Sequence, residues 1–134
     1  AAFDVVLSDN VIDHAERPLA ILPELIRVLK PGGLLYFTVN VHHPLYGLAS
    51  NLHGAWNAVG LKVELSAFAD HTIHLTEDRI AAAFVGLPLD IVSQRSTVAE
   101  TRAFQRAAKL SNPDSLLKKM FFKNALFELI AKRA

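Results

Sequence analysis

Polar side chains able to hold or move a proton gather after two apolar runs of this chain. Asp9 and Asn10 follow the run from Phe3 to Ser8, and Asn40, His42 and His43 close or follow the run from Leu34 to Val41. Carboxylates and amides orient a ligand through hydrogen bonds. An imidazole, with an ordinary pKa of about 6.5, can also act as a general base near neutral pH. The chain has no cysteine, which excludes thiolate nucleophiles, disulfides and thiolate metal sites. His71 and His74 fall on opposite faces of an extended segment, and no carboxylate pair completes a set, so no metal is expected. Tyr46 and Trp56 could wall an aromatic or lipid-like ligand, and Phe121-Phe122 among Lys118, Lys119 and Lys123 could form an amphipathic cap; core packing explains the four aromatics as well.

The elements that bring these residues together are a strand, a helix and a second strand. Phe3 to Ser8 reads as a short buried strand ending at Ser8-Asp9-Asn10. From Pro18 a helix is predicted with Leu22, Leu25, Ile26 and Leu29 on one face and Glu24, Arg27 and Lys30 in water. Pro23 either distorts its first turn or marks where the regular helix begins. Pro31-Gly32-Gly33 is read as the stop, releasing Leu34 to Val41 as a buried strand. A right-handed β-α-β crossover makes the two strands parallel, so Asn40, His42 and His43 reach the same rim as Asp9 and Asn10.

The rest of the chain is less regular. Pro44 to Asp70 reads as a cover of helix or loop followed by a short extended arm. Thr76 caps a helix through Val85, with Glu77 and Asp78 in its first turn and Gly86 at its stop. Leu89 to Arg95 alternates as a strand, and Val98 to Leu110 is helical. Ser111-Asn112-Pro113-Asp114 ends that helix and caps another through Leu116, Leu117 and Met120. Ala125 to Lys132 is a closing strand with Phe127 and Leu129 on one face, able to pair antiparallel at a sheet edge.

Length and composition fit one domain, residues 1–134. The chain is 51% hydrophobic with a mean hydropathy of +0.27, which suits a sheet covered on both faces. No apolar run approaches the roughly 18 residues of a membrane span, and a cytoplasmic protein is expected. Residues 1–94 carry five Lys/Arg against ten Asp/Glu, and residues 95–134 nine against three. The basic third has no Arg/Lys row alternating with aromatics, so no nucleic-acid partner is expected.

Phe3-Asp4-Val5-Val6-Leu7-Ser8-Asp9-Asn10-Val11-Ile12-Asp13-His14, followed by Arg27-Val28-Leu29-Lys30-Pro31-Gly32-Gly33-Leu34-Leu35, resembles class I S-adenosylmethionine-dependent methyltransferases of the small-molecule branch. The helix start at Thr76 and the strand Leu126-Phe127-Glu128-Leu129-Ile130 are similar to the family's closing elements. The resemblance implies an α/β fold: strands 4, 5, 7 and 6 of a Rossmann-like sheet ordered 3-2-1-4-5-7-6, with flanking helices. It thus implies the carboxyl-terminal half of a methyltransferase domain. It further implies that Asp9, Asn10, Val11 and His14 line S-adenosylmethionine, and that Asn40, His42, His43 and Tyr46 face a small-molecule acceptor. The glycine-rich cofactor loop of the family is not among these residues, nor is the dinucleotide loop of a dehydrogenase.

A bare edge along Phe3 to Ser8 would be an aggregation template. The missing amino-terminal half or a second copy of the chain is therefore expected to cover it. The lack of an initiating Met favours a fragment. Two functions follow from these residues: methyl transfer, or a truncated module that dimerises or binds a partner without catalysis.

Overall fold

The structure, a computed structural model, describes residues 1–45, 75–107 and 124–134. Four strands, β1 (Phe3–Asp9), β2 (Leu29–Val41), β3 (Leu89–Ser96) and β4 (Ala125–Arg133), form one sheet in the order β1-β2-β4-β3. β1 runs parallel to β2, and β4 is antiparallel to both β2 and β3. This is the 4-5-7-6 arrangement that the resemblance implies. The predicted cover and arm over residues 46–70, including Tyr46 and Trp56, lie outside the described residues. So do His71, His74, residues 108–110, the capping stretch at 111–114 and the helix and aromatic pair that follow it.

Helices α1 (Ile21–Val28) and α2 (Glu77–Phe84) share one face of the sheet. Leu22 and Ile26 of α1 are buried, while Glu24 and Arg27 face water and pair at 2.7 Å. Ile80 and Phe84 of α2 are buried, with Phe84 edge-on to Phe37 of β2 at 5.1 Å and stacked on Phe127 of β4 at 6.4 Å. Alternate residues Leu35, Phe37, Val39 and Val41 of β2 and Ala125, Phe127, Leu129 and Ala131 of β4 are fully buried, as a strand period of two demands. The Thr76 side chain accepts from Arg79 N–H at 3.3 Å, so it caps α2 as expected, and Gly86 takes the left-handed φ of +80° after the helix.

α1 starts close to Pro23, as predicted, but ends two residues before Lys30. The predicted stop at Pro31-Gly32-Gly33 and the strand start at Leu34 are corrected: β2 already begins at Leu29, whose ψ of 143° is extended. The pyrrolidine of Pro31 disfavours helix at Lys30, which ends the turn early. Leu29 is buried from the strand rather than from the helix. The released carbonyls of Ile26 and Arg27 accept from the Arg133 guanidinium at 3.0 and 3.2 Å, and that of Leu29 does so as well. A cation from β4 therefore caps the carboxyl end of α1, where the helix dipole favours it.

Coverage of the sheet is uneven along β1. Phe3, Val5 and Leu7 are 54%, 52% and 71% exposed, and no strand among the described residues pairs with the outer edge of β1. Val5 and Leu7 lie on the face opposite α1 and α2, because they pair with Leu34 and Tyr36 rather than with the buried alternates of β2. Among the described residues, the two-sided cover expected from composition is thus present on one side of β1.

Between Phe3↔Leu29 and Val5↔Leu34, β1 advances two residues while β2 advances five. The excess is a bulge around Pro31-Gly32-Gly33, with Gly32 at φ +75°. A Cβ on Gly33 would stand 2.9 Å from the Lys30 carbonyl oxygen, 2.9 Å from Leu29 Cδ2 and 3.1 Å from the Asp4 carbonyl oxygen. Gly33→Ala is predicted to cost about 1–3 kcal/mol by overpacking against backbone. Gly32→Ala, with open space around its Cβ but a positive φ, is predicted to cost about 1 kcal/mol. Urea unfolding of both variants checks the ranking; a costlier Gly32 substitution would contradict the close approach as the constraint on β1.

Candidate functional site

The rim is built from the carboxyl ends of β1 and β2. Asp9 pairs with Thr38, and Asn10 N–H donates to the Thr38 carbonyl at 3.1 Å. Asn10 then takes φ +49°, a left-handed conformation that asparagine tolerates, and turns the chain off the sheet into a 3-10 turn, Ile12–His14. Asn40 lies two residues beyond Thr38 on the same face of β2. The register thus sets Asp9, Asn10 and Asn40 at the same end of β1 and β2. The Asp9 carboxylate is fixed from two sides, accepting from the Thr38 hydroxyl and from Asn10 Nδ2 at 3.3 Å.

That contact belongs to a row crossing the whole sheet. Asp9, Thr38, Glu128 and Arg95 are successive pairing partners on the face opposite α1 and α2. Arg95 Nε lies 3.4 Å from Glu128 Oε1, and the Tyr36 hydroxyl donates to Glu128 Oε2 at 3.0 Å. The hydrogen bond to Glu128, then burial and the nearby carboxylate charge, raises the Tyr36 phenol above its usual pKa. Sequence reasoning missed this row. Its members sit at ordinary alternating positions, and only the register between distant strands aligns them.

Asn10 Oδ1 and both carboxylate oxygens of Asp13 are buried and accept no hydrogen bond among the described residues. Asp13 is 3% exposed. Acceptors in this condition cost about 1–3 kcal/mol each, so a ligand that donates to them is favoured. Beside them, the Val11 side chain is 59% exposed, and His14 Nε2 stands 4.0 Å from Asp13 Oδ1 with most of its ring in water. Asp13 was not among the expected contacts; its signal was a carboxylate directly after Val11-Ile12 in an apolar turn.

The two histidines separate. His42 is 1% exposed, and its N–H donates to the Leu75 carbonyl at 2.8 Å, joining the end of β2 to the approach of α2. His43 is half-buried, and its Nδ1 accepts from Leu45 N–H at 3.1 Å. Burial, and secondly the charge of Arg102 in helix α3 (Val98–Ala107), hold the His43 imidazole below its usual pKa and therefore neutral at pH 7. Tyr46 lies outside the described residues. Among the described residues no group of three or more His, Asp or Glu is placed to hold a metal ion, and no helix is long and apolar enough to cross a membrane.

S-adenosylmethionine carries an ammonium group and two ribose hydroxyls, all donors. The undonated oxygens of Asn10 and Asp13, one turn after β1, are the matching acceptors, and the exposed Val11 side chain offers apolar contact. The residues present fit the cofactor.

Comparison with known proteins agrees with the fold. Residues 1–37 match the family model of a methyltransferase domain. No curated protein matches the chain. Among solved structures, a protein from Bacillus halodurans provisionally assigned as a methyltransferase is 13% identical. It superposes with a TM-score of 0.56 over 98% of this chain and 64% of its own. An S-adenosylmethionine-dependent methyltransferase from Methanosarcina mazei is 17% identical, with a TM-score of 0.53 over 98% and 59%. The [4+2]-cyclase SpnF is 17% identical, with a TM-score of 0.54 over 98% and 50%. The chain thus spans between half and two thirds of the length of these relatives. Residues 1–37, the first strand-helix-strand, thus match a methyltransferase domain, and the chain as a whole shares part of the Rossmann-like sheet of these solved structures.

Proposed function

We propose that this chain is the carboxyl-terminal portion, a single partial domain, of an enzyme that transfers a methyl group from S-adenosylmethionine to a small-molecule acceptor. A cytoplasmic setting is part of this reading. The observation that carries it is the set of buried acceptors without donors on Asn10 and Asp13, beside a carboxylate that Thr38 holds in place. The fold alone does not settle the reaction, since a cyclase shares it.

When bound, S-adenosylmethionine supplies an electrophilic methyl on a sulfonium, displaced in line by the acceptor. Asn10 and Asp13 accept from its donor groups, Asp9 presents an oriented carboxylate, and Val11 and His14 flank it. Asn40 and His43 line the acceptor side, Tyr46, outside the described residues, is the further contact that the resemblance implies, and His42 fixes the rim through Leu75. Alignment is the main requirement of such a displacement. An acceptor that loses a proton needs a base, and His43, held neutral, is suited to take it.

Calorimetric titration with S-adenosylmethionine and S-adenosylhomocysteine tests the reading. Saturable binding is expected even for this chain, weak because the glycine-rich loop is not in its sequence. Asn10→Ala is expected to weaken it about tenfold, roughly 1.4 kcal/mol; unchanged affinity would remove Asn10 from the site.

Removing the Arg102 charge gives a pH-dependent prediction. Arg102→Gln should raise the His43 pKa toward the ordinary value while burial keeps it lower, measured by NMR titration of the imidazole protons. Because the folded pKa is depressed, His43 favours the native state fully above the ordinary imidazole pKa, and this contribution is lost as pH falls through the folded value. An unchanged pKa in the variant would contradict the proximity of Arg102.

The exposed Phe3, Val5 and Leu7 favour a second reading, a module that pairs with a partner or a second copy without catalysis. On either reading the isolated chain should self-associate in light scattering as concentration rises, and Leu7→Lys should suppress this. A monomer at every concentration would show that the edge is already covered.

A further inference from the structure

The 3-10 turn Pro18–Ala20, the two residues before it and the first turn of α2 enclose an open cleft of about 380 Å³. Its walls are Glu16, Arg17, Pro18, Leu19, Ala20 and Arg79. Neither guanidinium makes a hydrogen bond or ion pair among the described residues, unlike Arg27, Arg95 and Arg133, which are engaged. Arg79 lies in the first turn of α2, the end at which a cation is disfavoured by the helix dipole, so local structure does not account for its charge there. Two guanidiniums from separate elements thus line one cleft without a bonded carboxylate, and guanidiniums are suited to planar or tetrahedral oxyanions.

We propose that this cleft is an anion-binding subsite, in which Arg17 and Arg79 hold a carboxylate or phosphate group of a small ligand. Glu16 accepts from a hydroxyl or ammonium on the same ligand, and Pro18, Leu19 and Ala20 contact its hydrocarbon. The cleft adjoins the rim: Glu16 follows His14 by two residues, and α2 begins just after Leu75, whose carbonyl holds His42. As the handle of the methyl acceptor, the anion would narrow the substrate to small amphiphilic acids or phosphate esters, and that step rests on the proposed methyl transfer. Anion binding itself does not.

The test is titration of the 134-residue chain with inorganic phosphate and, separately, with succinate, at constant ionic strength, followed by amide NMR. The expected result is saturable shifts confined to residues 16–20 and 76–80, weakened at least fivefold by Arg17→Gln or by Arg79→Gln and strengthened two- to threefold by Glu16→Gln. All three side chains are exposed, so the variants should keep the parent circular dichroism. Tighter phosphate binding assigns a phosphate ligand, and tighter succinate binding a carboxylate. Shifts that are linear, scattered, or retained in the double arginine variant would overturn the subsite. Affinity for S-adenosylmethionine, measured in the same variants, separates the two proposals: it should not change when the arginines are replaced.

Discussion

The parallel pairing of β1 with β2 is the constraint on which the site depends. It rests on the close approach of backbone at Gly33, where any side chain would meet Lys30 and Asp4 carbonyl oxygens, and on the bulge that takes up three surplus residues of β2. Beyond the bulge the register is uninterrupted from Val5↔Leu34 to Asp9↔Thr38. Slipping it by one residue would send the β1 side chains to the other face. Asp9 would lose Thr38, and Asn10 would no longer leave the sheet beside Asn40.

The two faces of the sheet have different work. One is dry, with α1 and α2 laid over Leu35, Phe37, Val39, Phe127 and Leu129, and it supplies the stability. The other carries a ladder of polar contacts from Asp9 through Thr38 and Glu128 to Arg95, with Tyr36 bonded to the same Glu128. Such a network is strongest where every member has a partner. Among the described residues, buried carboxylate and amide oxygens without a donor lie at its rim end, on Asn10 and Asp13. In open α/β sheets the carboxyl ends of the strands, where this row ends, are the place where ligands bind.

Much of this was legible in the sequence, and the limits have physical causes. Strand and helix types followed from periodicity, and the Thr76 cap and Gly86 stop were found where residue chemistry put them. The end of α1 was misplaced because the steric effect of Pro31 reaches back to Lys30, whereas the glycines alone suggested a later stop. Asp9, Asn10 and Asn40 converge as the crossover rule requires. Alternation along a strand cannot say how its end is buried, and so His42 and His43, adjacent in sequence, part company: one joins the core and the other stands beside Arg102. Thr38, Glu128 and Asp13 escaped notice because their significance lies in partners, or missing partners, many residues away.

A sheet anchored at β2 and β4, with β1 as an exposed edge, has a distinctive signature in hydrogen exchange. Amide exchange of the 134-residue chain, resolved by NMR, should show slow exchange throughout β2 and β4, with protection in β1 confined to the amides bonded to β2. The β1 amides directed away from β2 should exchange at rates near those of open chain. Uniform protection across Phe3–Asp9 would contradict the account, showing that another strand already occupies the edge.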